Sequence, residues 1–194
     1  MLNIAIIAGS TRPGRKALDI ARWVHDIASR RIDSTFEVVD IADFDLPLLD
    51  EPMPPIFHQY TKPHTLAWAA KIASFDAFVF VTPEYNHSTS GALKNAIDFL
   101  FAEWNDKAAG FVGYGGNGGI RAVEHLRLVM SEMKVATVRA QVPLSLFADF
   151  ESFTTFKPRP EQEKAVDAML DDLIAWGRAL QTLRPPVSDG GGAI

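Results

Sequence analysis

The sequence contains no cysteine. Disulfide bonds, thiol catalysis and iron–sulfur clusters held by thiolates are therefore excluded. No apolar run approaches the roughly 20 residues that a membrane-spanning helix needs, and the apolar start MLNIAII lacks the basic leader of a signal peptide. From this composition we expect a cytoplasmic protein.

An excess of positive charge is also lacking, because the 194 residues carry a net charge of −5. A general affinity for nucleic acid is therefore not expected, and any basic cluster must be local. His58 and His64, in the stretch HQYTKPH, lack a supporting carboxylate or cysteine at metal-ligand spacing, so no metal site is predicted. The length suits one domain with a real core. We predict a single domain over residues 1–185 and a flexible tail over 186–194.

Short, almost wholly apolar runs alternate with amphipathic segments along the chain. The apolar runs predict strands buried on both faces, at residues 3–9, 36–41, 77–82 and 109–114. A fifth run, residues 136–144, alternates and has a proline near its end, which predicts an edge strand. The amphipathic segments predict helices at residues 16–32, 65–74, 89–101, 120–134 and 161–183. This alternation predicts an open parallel sheet whose ligands bind at the carboxyl ends of the strands.

The first strand ends in GSTRPGRK, which combines glycines, hydroxyls and cations. Gly9 and Gly14 let backbone amides approach a ligand closely, and the following helix N-terminus adds a positive dipole. The alternative interpretation is a capped turn with solvated cations. Neither a dinucleotide-binding G-x-G-x-x-G nor a P-loop is present. The segment therefore indicates an anion site with the candidate donors Ser10, Thr11, Arg12, Arg15 and Lys16.

Two further loops follow the third and fourth strands. In TPEYNHS, Tyr85 offers a flat surface with a polar tip and Asn86 can both donate and accept, although Glu84 and Asn86 could also be ordinary loop hydrogen bonders. In YGGNGG, four glycines in five residues cost conformational entropy. A flat ligand lying against bare backbone would explain them, and a flexible connection is the alternative.

The three loops together, GSTRPGR, TPEYNHS with GALKNAIDFL, and YGGNGGIRA, resemble the NADPH-dependent FMN reductase family of flavodoxin-like proteins. This family includes quinone, azo-dye and chromate reductases, and the resemblance runs over residues 4–133. It implies an α/β fold, a flavodoxin-like three-layer sandwich with a five-stranded parallel sheet in the order 2-1-3-4-5. It also implies non-covalently bound FMN, NADPH as co-substrate, and a homodimer or homotetramer.

The resemblance also implies roles for individual residues. Cations and hydroxyls of the first loop would hold the FMN phosphate, with the division between Arg15 and Lys16 open, since one of them could face the 2′-phosphate of NADPH. The second loop would line the ring and the ribityl chain, and the third would face the pyrimidine end. The implied cofactor-binding set is Ser10, Thr11, Arg12, Arg15, Lys16, Pro83, Glu84, Tyr85, Asn86, Tyr114, Gly115, Gly116 and Gly118.

The implied reaction is a ping-pong transfer of hydride from NADPH to the flavin and of electrons on to a small acceptor, which could be a flavin, a quinone, an azo compound or a metal oxyanion. The chemistry belongs to the cofactor, so no side chain is assigned as catalytic. The irregular segments 46–60 and 147–158 carry aromatic residues that could form an apolar roof. Competing hypotheses are a flavodoxin-like electron carrier, a flavin sensor without rapid NADPH oxidation, and a nucleotide-binding module without flavin.

Overall fold

A computed structural model describes residues 1–184 of the chain. Five parallel strands form one sheet in the order β2-β1-β3-β4-β5. Their bounds are β1 Leu2–Ala8, β2 Ser34–Asp40, β3 Ala77–Pro83, β4 Lys107–Gly115 and β5 Val135–Ser145. The flavodoxin-like α/β architecture and its strand order are confirmed. The predicted tail, residues 186–194, lies outside the described residues.

Five helices cover both faces of this sheet. They are α1 Ala17–Ala28, α2 Pro63–Ala73, α3 Gly91–Asp98, α4 Ile120–Glu132 and α5 Pro160–Leu180. One apolar core forms between the sheet and α1 with α5, and a second forms between the sheet and α2, α3 and α4. Every residue of β3 is buried because helices cover both of its faces. The half-buried β5 is an edge strand, as predicted.

Two of the helices, α1 and α3, are each five residues shorter than the sequence pattern predicts. Helix α1 ends at Ala28 rather than at residue 32, and α3 covers only residues 91–98 of the predicted 89–101. Ser90 fixes the start of α3, because its hydroxyl accepts a hydrogen bond from Leu93 N at 3.0 Å. The same hydroxyl donates to the carbonyl of Gly9 at 2.7 Å, which ties the first loop to α3.

The segment 147–158, predicted to be irregular, contains a two-stranded antiparallel hairpin. Its strands are β6 Phe150–Glu151 and β7 Thr155–Phe156. The turn between them has Ser152 and Phe153 at φ values of +50° and +60°, as in a type I′ turn. Such turns normally use asparagine and glycine, so the sequence gives no usual hairpin signal here and the prediction was wrong.

Candidate functional site

The loops that follow β1, β3 and β4 surround one cavity of about 290 Å³ at the carboxyl edge of the sheet. This edge is where the strand order reverses between β1 and β3, the usual ligand position in such sheets. Seven of the sequence-predicted site residues line the cavity: Arg12, Lys16, Pro83, Glu84, Tyr85, Tyr114 and Gly115. Gly14, Leu146, Phe153 and Thr154 complete its wall. The three motifs, far apart in sequence, therefore form one site.

Two cations of the first loop are available to a ligand. Arg12 is exposed, Lys16 is partly exposed, and both line the cavity. Within residues 1–184, neither of them forms an ion pair with a carboxylate. The loop itself is closed by the bond from Arg15 N to Arg12 O at 3.0 Å. These cations lie beside the N-terminus of α1, an arrangement that attracts an anion.

Arg15 has a different environment. Its Nη2 lies 2.5 Å from Oδ2 of Asp40, whose side chain is only 7% exposed. Asp40 also accepts from Ala42 N at 3.0 Å, so the pair fastens the first loop to the end of β2. Arg15 does not line the cavity, and neither does Thr11, which faces a second cavity beside Asp45. The geometry favours Lys16 over Arg15 as the second cation of an anion site.

The loop after β3 forms a tight turn. Tyr85 N donates to Ser88 O at 2.9 Å and Ser88 N donates to Tyr85 O at 3.1 Å. The two central residues, Asn86 and His87, have φ values of +48° and +74°, as a type I′ turn requires. The turn holds Tyr85 on the cavity wall, where its hydroxyl lies 3.2 Å from the buried hydroxyl of Ser10. Asn86 is exposed at the tip and does not line the cavity.

The carboxylate of Glu84 is engaged by the protein itself. It accepts from Arg121 Nε at 2.6 Å, from Arg121 N at 3.1 Å, and from Arg121 Nη2. Burial opposes ionisation of Glu84, but the bonds from the side chain and backbone of Arg121 outweigh it and hold the pKa below its usual range. Glu84 therefore joins the loop after β3 to the start of α4. Sequence reasoning missed Arg121, although this residue lies within the quoted motif YGGNGGIRA.

The glycines after β4 divide into two groups. Gly118 and Gly119 have φ values of +69° and +68°, and a Cβ there would lie 2.8 Å from Pro143 Cβ or 2.5 Å from Tyr114 N. Internal packing explains these two glycines, and Gly118 does not line the cavity. Gly115 lines it, and the neighbouring Gly116 is exposed. Of the glycines in the loop after β4, Gly115 and Gly116 are therefore the ones whose bare backbone is available to a ligand, and Gly14 of the first loop adds to them.

The hydroxyl of Tyr114 is buried in the cavity wall and makes no hydrogen bond of normal geometry among the described residues, although Ser10 and the backbone of Ala17 lie near it. Burial, the dominant cause, raises the pKa of this phenol above its usual value. Buried polar groups in proteins are almost always paired, so an orphan one on a cavity wall indicates a missing polar partner. With the cations of Arg12 and Lys16 and the bare backbone at Gly115, it fits a phosphorylated ligand that has a flat group.

Other kinds of site are not seen in the part of the chain that the structure describes. Within residues 1–184, no three His, Asp or Glu side chains are grouped closely enough to hold a metal ion. None of the described helices is long and apolar enough to cross a membrane.

Comparison with known proteins agrees with this geometry. The family model of the NADPH-dependent FMN reductases matches residues 2–149. An NAD(P)H-dependent FMN reductase from Schizosaccharomyces pombe is 41% identical over 184 residues, covering 94% of this chain and 85% of that protein. A probable NADPH:quinone oxidoreductase from Oryza sativa subsp. japonica is 38% identical over 133 residues, covering 66% of this chain and 64% of that protein.

Among solved structures, the FerB flavoenzyme NAD(P)H:(acceptor) oxidoreductase from Paracoccus denitrificans superposes with a TM-score of 0.70. The alignment covers 92% of this chain and 98% of that one at 20% identity, so it supports the fold alone. The family model covers three quarters of the sequence, and the Schizosaccharomyces relative extends along nearly all of it. The chain belongs to the NADPH-dependent FMN reductase family.

Proposed function

We propose that this protein holds FMN non-covalently in the cavity at the carboxyl edge of the sheet and transfers electrons from NADPH to a small acceptor such as a quinone. One observation carries the proposal: two cations that have no carboxylate partner within residues 1–184, the buried hydroxyl of Tyr114 and the bare backbone of Gly115 surround the same cavity. The first two features suit a phosphorylated chain, and the third suits a flat ring.

Different residues would bind different parts of FMN. Arg12 and Lys16 would hold the phosphate, because neither has a carboxylate partner within residues 1–184. The wall formed by Pro83 and Tyr85 would support the ring. Gly115 and Gly116 would face its pyrimidine end. The backbone of Asn86 and Gly118 would hold these loops in shape, as their φ values indicate.

Bound FMN would supply the two-electron chemistry between NADPH and the acceptor. The protein would supply position and electrostatics. Backbone amides of the loop at residues 115–116 would stabilise negative charge without reorganising, as oxyanion holes do. No side chain needs to act as an acid or a base, so none is assigned as catalytic. Because NADPH and the acceptor would occupy the same place beside the bound cofactor in turn, we expect ping-pong kinetics.

We also propose that the protein works as a homodimer or a homotetramer. The segment 46–60 exposes several large apolar side chains, among them Leu48, Ile56 and Phe57, which are 85%, 61% and 58% exposed. A concentration of exposed apolar side chains in one segment suits an association surface. Light scattering coupled to size-exclusion chromatography would measure the mass in solution, and a mass of one chain would contradict this part of the proposal.

The test of the function is steady-state oxidation of NADPH by the FMN-loaded protein with 1,4-benzoquinone as acceptor. We expect turnover, and parallel lines in double-reciprocal plots at several quinone concentrations. The same concentration of FMN without protein is the control. An electron carrier would bind FMN but oxidise NADPH negligibly, and a nucleotide-binding module without flavin would not bind FMN.

A further inference from the structure

We propose that the β6–β7 hairpin selects the electron acceptor, with Phe153 and Phe147 forming an aromatic wall that favours flat aromatic acceptors over small hydrophilic ones. This inference rests on the proposed function and deepens it. The cavity is lined by Phe153 and Thr154 from the hairpin as well as by the three motif loops. The hairpin therefore contributes directly to the site.

The two phenyl rings form one continuous surface. Phe153 and Phe147 are in edge-to-face contact, with ring centroids 5.5 Å apart and an interplanar angle of 88°. Phe147 also lies next to Gly116, because its Cε2 is 3.8 Å from the place that a Cβ on this glycine would take. The aromatic wall thus extends from the glycine loop to the tip of the hairpin.

The backbone conformation of Phe153 is energetically unfavourable. Its φ of +60° is a left-handed conformation that bulky residues rarely adopt. Its side chain remains 59% exposed, so burial of the ring offsets little of this unfavourable conformational free energy. Glycine or asparagine would serve the turn better. A strained residue at a cavity, with little compensating stabilisation of the fold, is the kind of outlier that marks a functional role.

The base of the hairpin is anchored to the domain by hydrogen bonds and ring packing. Asp149 is fully buried and accepts from Ser145 N at 2.9 Å and from Arg159 Nε at 2.9 Å. The ring of Phe156 packs against Phe150 and Trp23, with centroids 5.3 Å and 5.4 Å away. An aromatic wall anchored in this way can discriminate between ligands by shape.

The hairpin also lies beyond the part of the chain that the family pattern describes, because the family model ends at residue 149. Stacked or edge-to-face contacts with a phenyl ring add binding free energy for aromatic ligands beyond the area they bury. A small oxyanion or a metal complex gains nothing from such contacts. The chemistry of the wall therefore points to quinones and other flat aromatic acceptors.

The test compares four FMN-loaded proteins: the wild type, Phe153→Asn, Phe153→Tyr and Ser152→Gly. Asparagine tolerates the left-handed conformation and removes the ring, whereas tyrosine keeps the ring. Ser152→Gly is the matched control in the same turn. The readouts are kcat/KM for 1,4-naphthoquinone and for ferricyanide at saturating NADPH, and the affinity for 1,4-naphthoquinone by calorimetry without NADPH.

We expect Phe153→Asn to lower kcat/KM and affinity for naphthoquinone about tenfold and to change ferricyanide reduction less than twofold. Phe153→Tyr and Ser152→Gly should stay within threefold of the wild type with both acceptors. If the ratio of kcat/KM for naphthoquinone to kcat/KM for ferricyanide is unchanged in Phe153→Asn, whether both values stay the same or both fall, the inference is overturned. If the wild type oxidises no NADPH with either acceptor, the proposed function fails, and calorimetry alone then decides whether Phe153 binds the quinone.

Discussion

The substitution Arg12→Ala should weaken FMN binding without destabilising the fold. Arg12 is exposed and has no ion pair within residues 1–184, so its removal should change the free energy of unfolding by no more than about 0.5 kcal/mol. Hydrogen bonds to charged groups contribute about 1.5–3 kcal/mol. The loss of the guanidinium should therefore weaken FMN binding about 10- to 150-fold.

Arg15→Ala is the matched control, because it removes the same side chain three residues away. It leaves the mostly buried carboxylate of Asp40 without its partner, which should cost about 1–3 kcal/mol of unfolding free energy. Its effect on FMN affinity should be the smaller of the two. The assays are quenching of FMN fluorescence at fixed ionic strength and urea unfolding of the FMN-free proteins. An FMN affinity of Arg12→Ala within twofold of the wild type, or a larger loss of affinity in Arg15→Ala than in Arg12→Ala, would refute the assignment of Arg12 to the phosphate.

Three further predictions concern the rest of the site. Gly116→Val should weaken FMN binding strongly but leave the urea midpoint nearly unchanged, because a Cβ there would contact only Phe147, at 3.8 Å. A normal FMN affinity of this variant would show that the flavin ring binds elsewhere. Glu84→Gln should lower the free energy of unfolding by about 1–3 kcal/mol, because it removes the charge from the bonds with Arg121; an unchanged urea midpoint would contradict this. Hydrogen bonds from their partners hold the pKa values of Glu84 and Asp149 below the usual range, despite burial. The stability they contribute should be complete well above the ordinary pKa values of 4.5 for glutamate and 3.8 for aspartate. It should be lost as the pH falls through the lower folded-state pKa values, and a urea midpoint that stays constant from pH 6 to pH 3 would contradict this.

The sequence predicted those features that depend on local pattern. The apolar run at residues 77–82 became the fully buried β3, and the alternating run at 136–144 became the edge strand β5. The rule that parallel strands gather their loops at one edge brought Arg12, Tyr85 and Gly115 to one cavity. Such features follow from periodicity and from strand direction, which a single sequence contains.

The features that escaped prediction depend on tertiary contacts. The pairing of Arg15 with Asp40 joins residues 25 positions apart and requires β2 to lie beside β1. The need for Gly118 arises from Pro143 on the neighbouring strand, so the sequence could not distinguish it from a glycine that serves a ligand. The hairpin turn at Phe153 uses a residue type that the rules for turns disfavour.

The most direct test of the central claim is a fluorescence titration of FMN with the full chain, run in parallel with riboflavin, which lacks the phosphate. The site at Arg12, Lys16 and Tyr114 predicts saturable quenching at one FMN per chain and much weaker binding of riboflavin, because the charge-assisted bonds to the phosphate would be missing. FMN fluorescence that stays unchanged, or equal affinities for FMN and riboflavin, would contradict the assignment.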